Sequence, residues 1–177
     1  MVRLASTIGS VNTFVAITIT SVVSAGVVGG VFLAFSTFVM RALAQLPAEQ
    51  GIAAMQRINI VVINPWFMGV FFGATPLLGL AAYAARITAQ AHASSWLATA
   101  FAIYLLGSIG VTIVCNVPRN DRLAKLAPTS AEAETYWPMY VRQWLFWNHI
   151  RCIAAIVAAA LGAVGLAVSV GGLQHAA

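Results

Sequence analysis

Four long apolar stretches set the strongest limit on what this chain can fold into. A helix of about 20 predominantly apolar residues is needed to cross the hydrocarbon core of a bilayer. Stretches of at least that length cover residues 11–40, 60–85, 96–117 and 150–172. We therefore predict an all-α integral membrane protein, a four-helix transmembrane bundle (spans one to four) that forms a single domain over residues 1–177.

The composition excludes the ordinary soluble classes of protein. Of the 177 residues, 61% are hydrophobic and only 7% are charged, whereas about a quarter of the residues of a soluble domain are charged. The net charge of +5 does not indicate a nucleic-acid-binding protein, because the basic residues are scattered among apolar segments instead of forming a patch interleaved with aromatics. Membrane lipid is the expected partner, and no nucleic acid is expected.

The distribution of basic residues predicts the orientation in the membrane. Cytosolic connections of membrane proteins carry an excess of Lys and Arg. Only Arg3 and Arg86 fall on one side of the predicted bundle, and the remaining basic residues fall after spans one and three. We expect those two connections in the cytosol, and both termini outside it, as in a bacterial-type inner membrane. The residues on the cytosolic side are Arg41, Arg57, Arg119, Arg122, Lys125, Arg142 and Arg151.

Local signals refine the segments between the spans. Pro47, followed by apolar residues at helical spacing, predicts an amphipathic helix that leads into span two. Thr129 and Glu132 have the spacing of a capping box, so an extended helix should begin there and enter span four. We expect Pro65 to bend span two and Pro118 to end span three, because proline interrupts a continuing helix.

Two glycine pairs, Gly26/Gly30 and Gly69/Gly73, lie in spans one and two with Gly-x-x-x-Gly spacing. Small residues at this spacing let helices approach closely, but glycine is frequent in transmembrane helices in any case. Specific helix contacts and plain membrane composition explain the pairs equally well. A homo-oligomer formed through these faces is the corresponding hypothesis about partners.

Polar and aromatic side chains cluster where span three ends and span four begins. Such polar groups are costly near lipid unless they are paired or hydrated, so a cluster of them is by default a candidate functional site. At about 100° per residue, six residues of the helix entering span four share one stripe. They are Trp137, Tyr140, Trp144, Trp147, Asn148 and Arg151.

This stripe is too polar to prefer lipid, so we expect it to turn inward. There it would close a pocket with Asn116, Asn120 and Asn64, in which Arg151 can bind an anion or an oxygen that acquires negative charge. The alternative is an interfacial belt of aromatic residues with a snorkelling arginine. The presence of Asn148 and Arg151 on one face favours the pocket.

No cofactor motif is present in the sequence. The chain contains no P-loop, dinucleotide fingerprint or zinc motif, so we predict no cofactor and no metal site. A b-type haem bound through His149 stays as an alternative. On the helical wheel, however, His149 lies roughly opposite the stripe that contains Trp144 and Arg151.

Four motifs along the chain carry a family resemblance. They are Gly30 to Ser36, Ala54 to Asn59, Asn116-x-Pro118-x-Asn120-x-x-Leu123 and Trp144-x-x-Trp147-Asn148-x-x-Arg151. Their order and spacing resemble the DUF1772 proteins, also called the anthrone oxygenase-like family of small four-helix membrane proteins. The resemblance covers nearly the whole chain.

The resemblance implies a membrane-embedded oxygenase that oxidises a lipophilic aromatic substrate, of anthrone or quinol type, with O2 and without a metal or flavin. A flat apolar substrate would stack on aromatic rings, and an enolate formed from it would need hydrogen-bond donors at its oxygen. The expected substrate-binding residues are Trp144, Trp147, Tyr140, Asn120 and Asn64. The expected catalytic residues are Arg151, Asn148, Asn116 and, as the nearest carboxylate for a general base, Asp121.

Two further readings stay open from the sequence alone. The same pocket could belong to a non-catalytic membrane module that binds a lipid, a quinone or a partner helix. The haem protein with His149 as a ligand is the other. The expected partners are membrane lipid and a lipophilic small molecule.

Overall fold

The computed structural model describes the chain over residues 2–88 and 90–174, with the side chains of 12–88 and 90–171. All regular structure in this part is helical, which confirms the predicted all-α bundle. The α-helices are α1 Val2–Ala34, α2 Met40–Gln45, α3 Ala48–Val61, α4 Pro65–Ile87, α5 Ala91–Ile103, α6 Val117–Ala124 and α7 Ala131–Gln174. Three π-helical turns interrupt them, at Phe35–Val39, Tyr104–Gly110 and Thr112–Asn116.

Four helical segments of the described chain are long and apolar enough to cross a membrane, as predicted. Span two is α4 and span four lies in α7, whereas spans one and three each combine α-helix with π-turns. Several extend beyond the predicted limits, because their polar ends continue the helix. The segments are Asn12–Gln45, Pro65–Ile87, Ala91–Ala124 and Ala131–Gly171.

Three predicted boundaries are wrong in detail. Pro118 does not end span three but lies in the first turn of α6, where the preceding π-turn shifts the hydrogen-bond pattern and accommodates the proline ring. Pro65 does not bend span two but begins it, since Asn64 Oδ1 accepts a hydrogen bond from the Phe67 amide at 3.0 Å. The cap of α7 is Ser130, whose Oγ accepts from the amide of Ala133 at 3.2 Å, so the predicted capping box was misplaced by one residue.

One half of the bundle, here called the alanine half, is packed through small residues. Its glycines sit against neighbouring spans: a Cβ on Gly107 would lie 2.6 Å from the Cβ of Ala154, and one on Gly165 would lie 2.9 Å from Leu97 Cγ. The spans therefore approach closely here. The buried alanines of this half are Ala25, Ala74, Ala81, Ala85, Ala93, Ala100, Ala154, Ala155 and Ala158.

The predicted glycine pairs are not part of this packing. A Cβ on Gly26, Gly30, Gly69 or Gly73 would meet no atom of the described chain within 4 Å, apart from the neighbouring backbone of its own helix. These faces therefore mediate no close contact between the helices of one chain. Their use in a homo-oligomer stays a prediction.

The other half, here called the aromatic half, is packed through large side chains from α2, α3, α6 and the beginning of α7. The amphipathic helix predicted before span two is present as α3, with Ile52 and Met55 fully buried. Gln56 Nε2 donates to the carbonyls of Leu123 and Leu126, at 2.8 and 2.9 Å, which ties α3 to the end of α6. The core of this half is Met40, Leu43, Ile52, Met55, Leu123, Ala133, Tyr136, Trp137, Tyr140 and Trp144.

Candidate functional site

A cavity of about 240 Å³ lies beside the aromatic half, among α3 and all four spans. Spans three and four, between which the pocket was expected, supply only part of its wall, and α7 contributes Trp144 and Arg151. The lining is mostly apolar. Its residues are Val31, Phe32, Phe35, Met55, Ile58, Asn59, Val62, Ile63, Phe67, Met68, Phe71, Phe72, Thr112, Ile113, Val117, Asn120, Trp144 and Arg151.

The cavity opens through the side of the bundle, between span two and the C-terminal part of span three. Ile63 and Phe72 line it from one side, Ile113 and Val117 line it from the other, and all four are exposed on the outer surface of the bundle. In a membrane this surface faces lipid. A lipophilic molecule can therefore reach the cavity from the bilayer.

Arg151 is the single charged side chain in the described wall of the cavity, and it is only 7% exposed. Its Nε donates to Asn148 Oδ1 at 3.0 Å, and its Nη1 is 3.4 Å from the hydroxyl of Thr112. The guanidinium carbon lies 4.2 Å from the ring centroid of Phe32 and 4.8 Å from that of Trp144. The two rings thus hold the cation by cation–π attraction.

No carboxylate of the described residues neutralises this buried cation. The four acidic residues of the chain are Glu49, Asp121, Glu132 and Glu134, and all of them are exposed. A guanidinium has five N–H donors, and the two hydrogen bonds above leave three without a partner in the described chain. A buried charge is costly without a counter-charge, so this arrangement favours an anionic or strongly polarised oxygen in the cavity.

Asn148 holds the arginine in place instead of lining the cavity. It is fully buried, and its Nδ2 donates to the carbonyl of Phe32 at 2.8 Å and to Ser36 Oγ at 2.7 Å. Its Oδ1 accepts from Arg151. Since Phe32 lies one turn before the π-turn of span one, Asn148 links that irregular turn to the orientation of the guanidinium.

Asn120 presents its amide nitrogen to the cavity. Its Oδ1 accepts from the Tyr140 hydroxyl and from Trp144 Nε1, both at 2.9 Å. An indole N–H can only donate, so this contact identifies the oxygen end of the amide, which is otherwise hard to distinguish from the nitrogen end. The Nδ2 group has no partner in the described chain and is free to donate to a bound molecule.

The other predicted site residues lie outside the cavity. Asn116 is fully buried behind Trp144: its Nδ2 is 3.2 Å from the Trp144 carbonyl, and its Oδ1 has no partner in the described chain. The ring of Trp147 is only half-buried, next to Phe146 and 5.9 Å from the guanidinium of Arg119. Asn64 caps α4. Asp121 and His149 are exposed.

Several residues at the cavity were absent from the sequence-based set. Thr112 and Asn59 are its other polar lining residues, and Asn59 also lies beside the hydroxyl of Tyr140. Helical spacing could have identified both, because Thr112 precedes Asn116 by four positions and Asn59 follows the buried Met55 by four. The phenylalanines carried no such signal, since apolar rings are common throughout the spans. They are Phe32, Phe35, Phe67, Phe71 and Phe72.

The comparison with known families gives one match. The family model described as Anthrone oxygenase matches residues 67–161, just over half of the chain. The matched segment begins in span two and ends within span four, so it includes Thr112, Asn120, Trp144 and Arg151. No curated protein and no solved structure matches the chain.

Proposed function

This chain belongs to the anthrone oxygenase family, and from that premise we propose that it is a membrane-embedded oxygenase. Its proposed substrate is a lipophilic aromatic compound of the anthrone or quinol type, oxidised with O2 in the cavity beside α3. The observation that carries the proposal is the buried guanidinium of Arg151, which has no counter-charge among the described residues and lies in the wall of a largely apolar cavity that opens towards lipid.

The shape of the cavity supports a compact ring system. Its volume of about 240 Å³ is below the roughly 300–1,000 Å³ of pockets for drug-sized ligands, so a long lipid would not fit inside. The rings of Phe32, Phe35 and Trp144 lie in one wall, and those of Phe67 and Phe71 lie in another. Flat aromatic substrates pack favourably against such rings.

The proposed reaction converts a ring CH2 group into a carbonyl group. Loss of one C–H proton gives an enolate, which passes one electron to O2, and the resulting carbon radical and superoxide combine into a peroxide at that carbon. The peroxide takes up a proton to give a hydroperoxide. The O–O bond then breaks, and its terminal OH leaves as water with the second hydrogen of the CH2 group. One atom of O2 ends in the new carbonyl and the other in water, so O2 accepts four electrons in all.

The side chains would act mainly on the enolate. Arg151 would stabilise the negative oxygen through its free N–H groups, which is the strongest form of assistance available to such a step. Trp144 would stack on the rings, and Asn120 would donate a second hydrogen bond. Asn148 would be a positioning residue, and Asn116 would support Trp144 from behind. Asp121, being exposed outside the cavity, is not retained as the base.

Oxygen uptake by the purified protein in lipid nanodiscs tests the proposal. Anthrone and a panel of hydroxylated anthrones and quinols would be supplied in the lipid, with empty nanodiscs as the reference for spontaneous oxidation. We expect faster oxidation with the protein, lost in Arg151→Gln and kept in Arg142→Gln, which removes an exposed arginine of the same helix. Rates equal to those of empty nanodiscs for every compound would refute the proposal.

A second candidate function is binding without turnover, in which the cavity holds a quinone or another ring compound. The absence of any carboxylate, imidazole, thiol or amine among the described lining residues favours it, because a C–H oxidation usually starts with proton removal by a base. A ring compound that copurifies with the protein, detected by mass spectrometry and unchanged by O2, would identify this function.

A further inference from the structure

The polar groups that the cavity offers to a ligand are chiefly hydrogen-bond donors. Arg151 contributes three free N–H groups and Asn120 contributes its Nδ2 group. The indole N–H of Trp144 is already donated to Asn120, and the hydroxyl of Thr112 is donated to the Ser108 carbonyl at 2.8 Å. Asn59 supplies an amide, which is not a base. The cavity thus favours a ligand that brings oxygen acceptors.

The elements packed around Arg151 bring no anionic partner. On α7 itself, the nearest titratable groups are the phenol of Tyr140 and the thiol of Cys152. Span one presents Phe32 and span three presents Thr112, neither of which titrates. The acidic residues are all exposed, so the positive charge facing the cavity is uncompensated in the described chain.

From these two observations we propose that the cavity binds its ligand as the conjugate base, an enolate or phenolate that is already ionised when it enters. The O–H or C–H bond breaks outside the cavity, the proton goes to bulk water, and the electron pair stays on the conjugated oxygen. No electron leaves the ligand in this step. The inference rests on the proposed function in that it assigns the same cavity to the substrate.

The position of the opening suits such a ligand. Ile63 lies in the turn between α3 and α4, and Val117 lies at the start of α6, so the mouth adjoins the polar segments of the bundle. An aromatic anion would rest at this level of a bilayer, with its rings in lipid and its charge near water. It could move sideways into the cavity without crossing the hydrocarbon core.

Equilibrium binding under anaerobic conditions tests the proposal with a matched pair of probes. These are 2-hydroxyanthracene, which ionises, and 2-methoxyanthracene, which does not, each titrated by its own fluorescence into protein-containing and empty nanodiscs. We expect the affinity of the hydroxy compound to rise at least tenfold as the pH passes the pKa of the probe. The affinity of the ether should stay constant over the same range.

Variants separate the role of Arg151 from that of the membrane. The rise in affinity for the hydroxy compound with pH should disappear in Arg151→Gln and persist in Arg142→Gln. Equal affinity for the two ionisation states, or a rise that survives in Arg151→Gln, would overturn the proposal. The comparison of the two probes on the unmodified protein decides the matter even if Arg151→Gln does not fold.

The outcome is independent of turnover. Selective binding of the anion by a protein that consumes no O2 would refute the oxygenase and leave this inference standing. Oxidation at a rate that does not depend on the ionisation of the substrate would refute this inference and leave the oxygenase proposal standing.

Discussion

The alanine half and the aromatic half of the bundle share spans one, three and four, yet they pack in opposite ways. In the alanine half, Gly107 and Gly165 let the spans approach until a single added methyl group would collide with a neighbour. In the aromatic half, Tyr140 and Trp144 keep the spans apart, and the cavity remains between them. Close packing in the alanine half therefore fixes the positions of the spans, and their wider spacing in the aromatic half leaves the cavity open.

The two halves also differ in what their buried polar groups do. In the alanine half, buried hydroxyls bond to backbone carbonyls of the bundle, Thr18 to the preceding turn of its own helix at 2.8 Å and Ser94 to the Ala82 carbonyl of span two at 3.1 Å. In the aromatic half, Asn148 and Asn120 each connect different helices, and Asn120 in addition leaves its Nδ2 donor free at the cavity. Stability should therefore depend mainly on the first half, and activity mainly on the second.

The largest effect should come from Arg151→Gln, in the aromatic half. Removing one donor from an oxyanion-binding site costs about 10²–10³-fold in rate, so oxygen uptake should fall by about that factor. The melting temperature should not fall, because the substitution removes an uncompensated buried charge. A variant that loses activity and melting temperature together would break the proposed division between the halves.

The next effect concerns stability and the alanine half. Gly107→Val places side-chain atoms against Ala154, and overpacking of this kind costs about 1–3 kcal/mol. We expect a lower thermal unfolding temperature in nanodiscs, measured by intrinsic fluorescence, with probe affinity nearly unchanged in the folded protein. The control is Gly73→Val, at a position where an added Cβ meets no atom within 4 Å beyond the neighbouring backbone of its own helix. Equal losses in both variants would contradict the packing account.

A smaller effect is expected from Asn120→Ala. The substitution removes one hydrogen bond from a neutral donor to the ionised oxygen of the ligand, worth about 1.5 kcal/mol or somewhat more, and also frees the hydroxyl of Tyr140. Binding of the ionised probe should weaken by about tenfold, and Arg151→Gln should remain the more severe change. A loss as large as that of Arg151→Gln would mean that Asn120 carries the main interaction with the oxygen.

The smallest effect separates two tryptophans that are three positions apart. Trp147→Phe should leave probe affinity within about twofold, because its half-buried ring lies outside the cavity and substitutions away from special features change stability by less than about 0.5 kcal/mol. Trp144→Phe removes the hydrogen bond to Asn120 and part of the cavity wall, so its effect should be clearly larger. Equal effects would place Trp147 at the ligand after all.

The sequence predicted the spans and the main stripe because both depend on regular helical spacing. Asn148 and Arg151 lie within about 40° of Trp144 on the wheel, and both are buried. Trp147 lies about 60° from Trp144 on the wheel, at the edge of the stripe. There its half-buried ring lies next to Arg119 and is partly exposed on the outer surface. The wheel identifies the inward direction but not the width of the buried face.

The cavity itself could not have been predicted from the sequence. Its walls depend on π-turns at Phe35–Val39 and Thr112–Asn116, and these have no compositional signal because they are stabilised by tertiary partners such as the contact of Asn148 with Phe32. Asp121 lies outside the cavity for a related reason. With α6 continuing past Pro118, the neighbour of the inward-facing Asn120 turns away to the outer surface.

The sideways opening at Ile63 and Ile113 determines which ligand concentration governs the occupancy of the cavity. A molecule that arrives through lipid is presented at its density within the bilayer, and the bulk aqueous concentration matters only through partitioning. Adding lipid at fixed protein and ligand dilutes that density and lowers occupancy, although nothing has changed in the water. Kinetics measured on this chain should therefore follow surface dilution, with apparent constants expressed as mole fractions of the membrane.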